Sequence, residues 1–368
     1  MNAPAAGGLP ERLSALYERC GYEQFRMSKF EEYDIYSANK RFLAGEDILT
    51  FTDKNGKLMA LKPDITLSIV KNHGALFGAS RLGKYYYRES VYRVPRGSDC
   101  FSEITQTGVE CVGVTDAVSE CEVILMANAS LSETGMKTVL EISHMGILGG
   151  MLAGVGSEER KHELMSCVAA KNAHGFKASA DAAGLDSETT EKILRLSEIS
   201  APISECADEI LSLTEGGGAE SAARELCTLS ELLSAVGEAE SVYFDLSVVY
   251  DRTYYTGAVF RGFAEGIPER ILSGGRYSGL VTRRGEVGEG MGFALYTDPI
   301  ERKADTGGTR RVDCLIVYGE GGECAALKIA DEKRRDGKSA LLMREGCGAS
   351  DGGVDYSELI RVGKEGIL

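Results

Sequence analysis

Apolar positions recur at helical spacing from Pro10 to Cys20. Leu13, Leu16, Tyr17 and Cys20 fall on one face there, between an initial proline and a closing Gly21, and this predicts the first helix. From Tyr22 to Leu61 short apolar runs alternate with turn residues. Asp53-Lys54-Asn55-Gly56 separates Ile48–Phe51 from Lys57–Leu61, the signature of a β-hairpin. Pro63 ends that strand, and Asp64 or Thr66 can cap a helix running to Asn72. Two further strands are expected around Tyr85–Tyr92 and Ile104–Val112, antiparallel and joined by a loop over Pro95–Asp99. A helix over Asp116–Gly135 and a strand over Thr138–Ile142 follow.

The pattern changes after Gly149-Gly150. Residues 157–239 are rich in Ala, Leu, Glu and Ser and almost free of strand signals, so they predict a helical insertion in a β-rich domain that resumes at Val242. Asp245–Phe260 reads as strand, turn, strand, with Val248 and Val249 in the first strand and Tyr254–Phe260 in the second. Ile271–Val281 carries paired glycines that bring backbone close to whatever lies beside Tyr277. Gly292–Tyr296 is a strand or helix start that Pro299 stops. The charged stretch 301–310 predicts a linker, and Val312–Tyr318, Cys324–Arg335 and Ala340–Met343 a small βαβ-like unit. The expected organisation is thus a flexible leader over 1–9, a main domain over 10–300, a linker over 301–310 and an α/β unit over 311–368.

Composition narrows the function classes. The chain has 368 residues, 43% of them hydrophobic, ample for a packed core. Its N-terminus lacks a basic region followed by an apolar one, and no apolar run approaches the roughly 20 residues needed to span a bilayer, so a cytoplasmic location is expected. Ten scattered cysteines without a CxxC pair, and four histidines without metal-ligand spacing, predict reduced thiols and no metal or other cofactor. A net charge of -15 repels polyanions, which argues against tRNA or DNA as the main partner.

Two stretches carry candidate chemistry. On the strand after Asp251-Arg252-Thr253, Tyr255, Gly257 and Val259 share one face, and Gly257 leaves that face open beside the Tyr255 ring. This could floor a small-molecule pocket or belong to a core strand with two amphipathic rings. On the strand ending at Val112, Gln106, Gly108 and Glu110 share a face. They offer a donor and acceptor pair with room between them, or the polar face of an edge strand.

The succession LKPDIT, YYRESVYR, QTGVE, YYTG, GGRYSGLV and GFAL, with a helical insertion before YYTG, resembles the catalytic domain of histidyl-tRNA synthetases over roughly residues 10–300. The resemblance implies an α+β fold, with an antiparallel sheet of the class II aminoacyl-tRNA synthetase type flanked by helices. It also implies a histidine site: Asp64 and Thr66 at the amino group, Gln106, Glu110 at the imidazole, Tyr255 and Tyr277, with Arg93 and Tyr254 as additional pocket residues. The family's Arg-Gly-Leu-Asp before the paired tyrosines is replaced by Tyr250, Asp251, Arg252 and Thr253. Its ATP-binding arginine falls at Pro299, and a glutamate two places after Arg93 falls at Pro95. Without these two arginines phosphoryl chemistry loses its main electrostatic stabilisation, so no amino-acid activation is expected.

A synthetase-like body without those arginines, ending in a unit like a truncated anticodon-binding domain, is similar to the regulatory subunits of ATP phosphoribosyltransferase. That resemblance implies a non-catalytic chain in the first step of histidine biosynthesis and its feedback control by histidine. It further implies a short-form catalytic subunit as partner, self-association as a dimer, free histidine as ligand, and no use of tRNA or membrane. The alternatives are a working or minimal histidyl-tRNA synthetase, and a histidine- or tRNA-binding sensor with another partner.

Overall fold

The computed structural model describes residues 8–39, 43, 48–78, 81–94, 99–113, 116–249, 254–281, 287–307, 310–346, 354–364 and 366–367. The chain divides into two compact units, Met1–Ile300 and Glu301–Leu368.

The first unit opens with helix α1 (Leu9–Arg19), which buries Leu13 and Tyr17. Strands β1 (Glu23–Gln24) and β2 (Phe30–Glu32) and the short helix α2 (Asp34–Ala38) follow. The hairpin β3 (Thr50–Thr52) and β4 (Leu58–Leu61) leads into α3 (Ile65–Phe77), which runs a full turn past Asn72. Next come the long hairpin β5 (Gly83–Arg93) and β6 (Ser102–Val112), α4 (Ala117–Ser132), β7 (Thr138–His144) and α5 (Met145–Met151). The insertion contributes α6 (Glu158–Ala169), α7 (Ala173–Ala183), α8 (Ser187–Glu198), the short strand β8 (Ser200–Pro202), α9 (Ile203–Thr214) and α10 (Glu220–Ala235). Strands β9 (Val242–Asp245), β10 (Tyr255–Ala264), β11 (Leu272–Val281) and β12 (Val287–Tyr296) complete the sheet before α11 (Thr297–Gly307).

Nine strands form one sheet in the order β1-β5-β6-β12-β11-β10-β7-β9-β8. Only the β1–β5 and β7–β9 pairs are parallel. A separate three-stranded sheet, β2-β4-β3, carries the predicted hairpin. The main core packs α1, α4, α5 and the insertion against one face of the large sheet, and its apolar cluster continues from Leu140 and Phe260 through Leu164, Phe176 and Leu226. The insertion therefore shares the core of the domain it interrupts. A second cluster sets Ile65, Ile69 and Val70 of α3 against Tyr87, Val91 and Tyr277 on the opposite face. This smaller cluster surrounds the site described below.

Several sequence expectations need correction. Val248 and Val249 are not in a strand: β9 ends at Asp245, whose carboxylate accepts from Ser247 N at 2.8 Å and turns the chain. The insertion contains strand β8, three residues long and ending in proline, as suits the sheet edge it occupies beside β9. Pro299 does not stop an element. It lies in the first turn of α11, where a missing N–H costs nothing, and the expected linker is helical as far as Gly307.

The second unit is a mixed sheet in the order β14-β13-β15-β16, built from β13 (Arg310–Tyr318), β14 (Ala340–Arg344), β15 (Val354–Gly363) and β16 (Gly366–Ile367), with helix α12 (Glu323–Arg335). β13 and β14 are parallel and joined through α12, the predicted βαβ arrangement. β15 was not anticipated, although Val354, Tyr356, Ile360 and Val362 alternate with Asp355, Ser357 and Arg361 at strand period. No helix among the described residues is long and apolar enough to cross a membrane.

Candidate functional site

Strand β6 runs between β5 and β12, so the edge-strand reading of Gln106, Gly108 and Glu110 is overturned. Gln106 is 4% exposed and Glu110 2%. A carboxyl group in that position needs partners, and it has two: Thr66 Oγ1 donates to Oε1 at 2.6 Å and Tyr277 OH to Oε2 at 2.9 Å. Burial pushes the Glu110 carboxyl up to about 8. The hydrogen bonds from Thr66 and Tyr277 oppose that rise, and the nearby Asp64 charge adds to it. At neutral pH the group is therefore mostly protonated, and a ligand nitrogen that donates to it would draw it toward the carboxylate.

Asp64 caps α3, accepting from Leu67 N at 2.8 Å. The cap and the site coincide, because the turn that brings Asp64 to the helix start also brings Thr66 onto Glu110. Tyr254, Tyr255 and Tyr277 form a cluster of tilted rings, with centroids 4.6 Å apart for Tyr254–Tyr255 and 6.1 Å for Tyr254–Tyr277. Tyr255 and Tyr277 are paired across β10 and β11. Burial, and then the Asp64 charge, raise the Tyr254 phenol well above its ordinary range, and a hydrogen bond with Thr66 acts the other way. Thus Asp64, Thr66, Glu110, Tyr254, Tyr255 and Tyr277 are brought together. Gln106 lies four residues along β6 from Glu110 on the same face. Arg93 does not join them: it pairs with Ser102, eight positions from Glu110, about 26 Å along the strand.

Both openings expected over glycines are filled. A Cβ on Gly108 would lie 2.7 Å from Tyr87 OH, and that hydroxyl donates to Phe293 O at 3.1 Å. The room between Gln106 and Glu110 is therefore used by a tyrosine. A Cβ on Gly257 would lie 2.0 Å from Arg276 Nε, so this glycine admits a guanidinium and floors no pocket. Arg276 joins Glu120 at 2.9 Å and Glu225 of α10 at 2.7 Å. His144 Nδ1 accepts from Gly146 N, which leaves Nε2–H to donate to Glu225 at 3.1 Å. The bond from His144, with the Arg276 charge beside it, holds the Glu225 carboxyl down at about 2. This network locks the insertion to the sheet on the side of β11 opposite Tyr277.

The structure adds residues that sequence reasoning missed. Lys62 is fully buried and donates to Glu89 Oε2 at 2.8 Å. Glu89 is the cross-strand partner of Gln106. Glu31, also buried, accepts from Tyr36 OH and from Ser68 Oγ, the latter at 2.6 Å. The available signal was a lysine directly before Pro63-Asp64 and a glutamate at strand period from Tyr87.

The family model for histidyl-tRNA synthetase matches residues 2–300. The chain belongs to the histidyl-tRNA synthetase family. Among relatives of this family member, an ATP phosphoribosyltransferase regulatory subunit from Clostridium kluyveri is 29% identical over 315 residues, covering 83% of this chain and 80% of the relative. One from Bacillus licheniformis is 28% identical over 340 residues, covering 90% and 85%. A crystal structure from Bacillus halodurans, described as an ATP phosphoribosyltransferase regulatory subunit/histidyl-tRNA synthetase, shares the fold with a TM-score of 0.75 at 23% identity, covering 96% of this chain and 93% of that one. The class II synthetase-like α+β architecture expected from the sequence is the one observed. Of the positions at which the sequence resemblance leads one to expect departures, Tyr250–Thr253 and Pro95 lie outside the described residues, and Pro299 stands in the first turn of α11.

Proposed function

We propose that this chain is the cytoplasmic, non-catalytic regulatory subunit of an ATP phosphoribosyltransferase. It would act with a short-form catalytic subunit at the first step of histidine biosynthesis and carry its feedback response to histidine. The observation that carries the reading is the match to proteins named as that regulatory subunit along most of both chains. The site supports it from the chemical side. The Glu110 carboxyl, a tyrosine wall and the Asp64 carboxylate suit an imidazole and an ammonium group. At two places where the synthetase pattern has arginines the chain has Tyr250 and Pro299, so two positive charges for a reacting phosphate are lacking, while Arg93 remains.

Charge also argues against a tRNA role. The insertion, residues 157–239, holds sixteen Asp and Glu against seven Lys and Arg. A dimer as the unit of assembly is part of the same proposal, because symmetric self-association is the commonest way such a chain would present paired surfaces to a partner. The reading excludes amino-acid activation. The purified chain should give no histidine-dependent exchange of pyrophosphate into ATP, since loss of even one preorganised charge at such a site lowers rate by a factor of about 100 to 1,000. Exchange that disappears in Arg93→Ala would restore the synthetase reading.

A further inference from the structure

The Glu110 site provides for the imidazole and the ammonium of an amino acid, and Tyr250 stands where the synthetase resemblance places an arginine. A zwitterion bound among Asp64 and Glu110 without a cation would set its carboxylate against like charges. The structure supplies one. The Lys62 backbone lies beside Tyr92, whose N–H donates to Lys62 O at 2.9 Å, and its side chain runs back to Glu89, on the level of Gln106. An ammonium group has three donors, and among the described residues this fully buried one has Glu89 as its side-chain partner. Gln106, 4% exposed, has no hydrogen-bond partner for its carboxamide among the described residues. The Lys62–Glu89 pair and Gln106 therefore share one level of the sheet, at the end of the site away from Glu110. Lys62 keeps donors beyond the one given to Glu89, and the Gln106 carboxamide keeps both donor and acceptor capacity for a ligand.

We propose that Lys62 receives the α-carboxylate of the amino acid bound at the Glu110 site, with Gln106 beside it. This rests on the reading of that site as a histidine site. Gln106 and Glu110 are separated by about 13 Å along β6. Tyr87 lies over Gly108 between them, so the amino acid would bridge the two side chains above that ring, a span that suits one small amino acid. Glu89 does not oppose the carboxylate strongly. Its Oε2 is engaged by Lys62 and its Oε1 by Met27 N at 3.5 Å. Lys62 thus acts as a specificity residue, distinguishing an α-amino acid from its decarboxylated amine.

The test is calorimetric titration of the whole chain, alone and with the catalytic chain, using L-histidine and histamine as probes. Wild type should bind L-histidine at least tenfold more tightly than histamine. Lys62→Met should weaken L-histidine by about 10- to 100-fold, as expected for loss of a charge-assisted bond, and leave histamine nearly unchanged, while Lys62→Arg keeps most of the preference. Because Lys62→Met leaves Glu89 unpaired and can impair folding, Lys62→Met/Glu89→Gln is measured beside it and should lose the same discrimination. Wild-type binding of L-histidine with an unchanged ratio in the folded variants overturns the role of Lys62 alone. Failure of wild type to bind L-histidine in either setting overturns the histidine-site reading, and this proposal with it.

Discussion

Glu110 is the residue at which burial and charge compete most directly. Its carboxyl is held at about 8, against an ordinary value near 4.5, chiefly by burial. Between those values the folded chain keeps a proton that the unfolded chain has released, so this group's contribution to stability is full below the ordinary carboxyl range and is lost as pH rises toward 8. Glu110→Gln, which cannot ionise, should unfold at a higher temperature than wild type at pH 8.5 and close to wild type at pH 5. A difference independent of pH would show that the group is not held protonated. For ligand binding the sign is opposite, because a donor nitrogen favours the carboxylate. Glu110→Ala should raise the dissociation constant for histidine tenfold or more, given about 1.5 to 3 kcal/mol for a hydrogen bond to a charged group, and calorimetry would show it.

At the scale of elements, α3 and β11 do the positioning. The Asp64 cap starts α3 where Thr66 meets Glu110. β11 presents Tyr277 to the site and the adjacent Arg276 to Glu120 and Glu225 behind it. The two roles of Asp64 can be separated by substitution. Asp64→Asn keeps an N-cap acceptor and should melt like wild type, yet bind histidine less tightly. Asp64→Ala should lose about 1 kcal/mol of stability as well. Equal binding by wild type and Asp64→Asn would reduce Asp64 to a cap alone. Elements of this kind were legible in the sequence because period and punctuation agree: Pro63 and Asp64 before an apolar run, and turn residues between β3 and β4. The fillings of the two glycine openings were not legible. Gly108 and Gly257 read as room for a ligand because a glycine declares space on its own strand, while the side chains that use it, Tyr87 and Arg276, arrive from neighbouring strands. Lys62 was passed over for a similar reason: a lysine normally marks surface, and only the pairing of its backbone with β5, through Tyr92 N–H, brings Glu89 where it can bury one.

Across the whole molecule, the candidate site lies in an acidic body of the histidyl-tRNA synthetase family. A chain without chemistry of its own can influence a reaction only by binding one state of its partner better than another, and a ligand of this chain must then shift, and be shifted by, that association. The decisive measurement mixes the purified chain with the short-form phosphoribosyltransferase of the same organism, and follows mass by light scattering and phosphoribosyl-ATP formation with and without histidine. The account predicts a mixed assembly of several copies of each chain, with activity that depends on this chain and responds to histidine. Separate elution of the two chains, with activity indifferent to this protein, would contradict it.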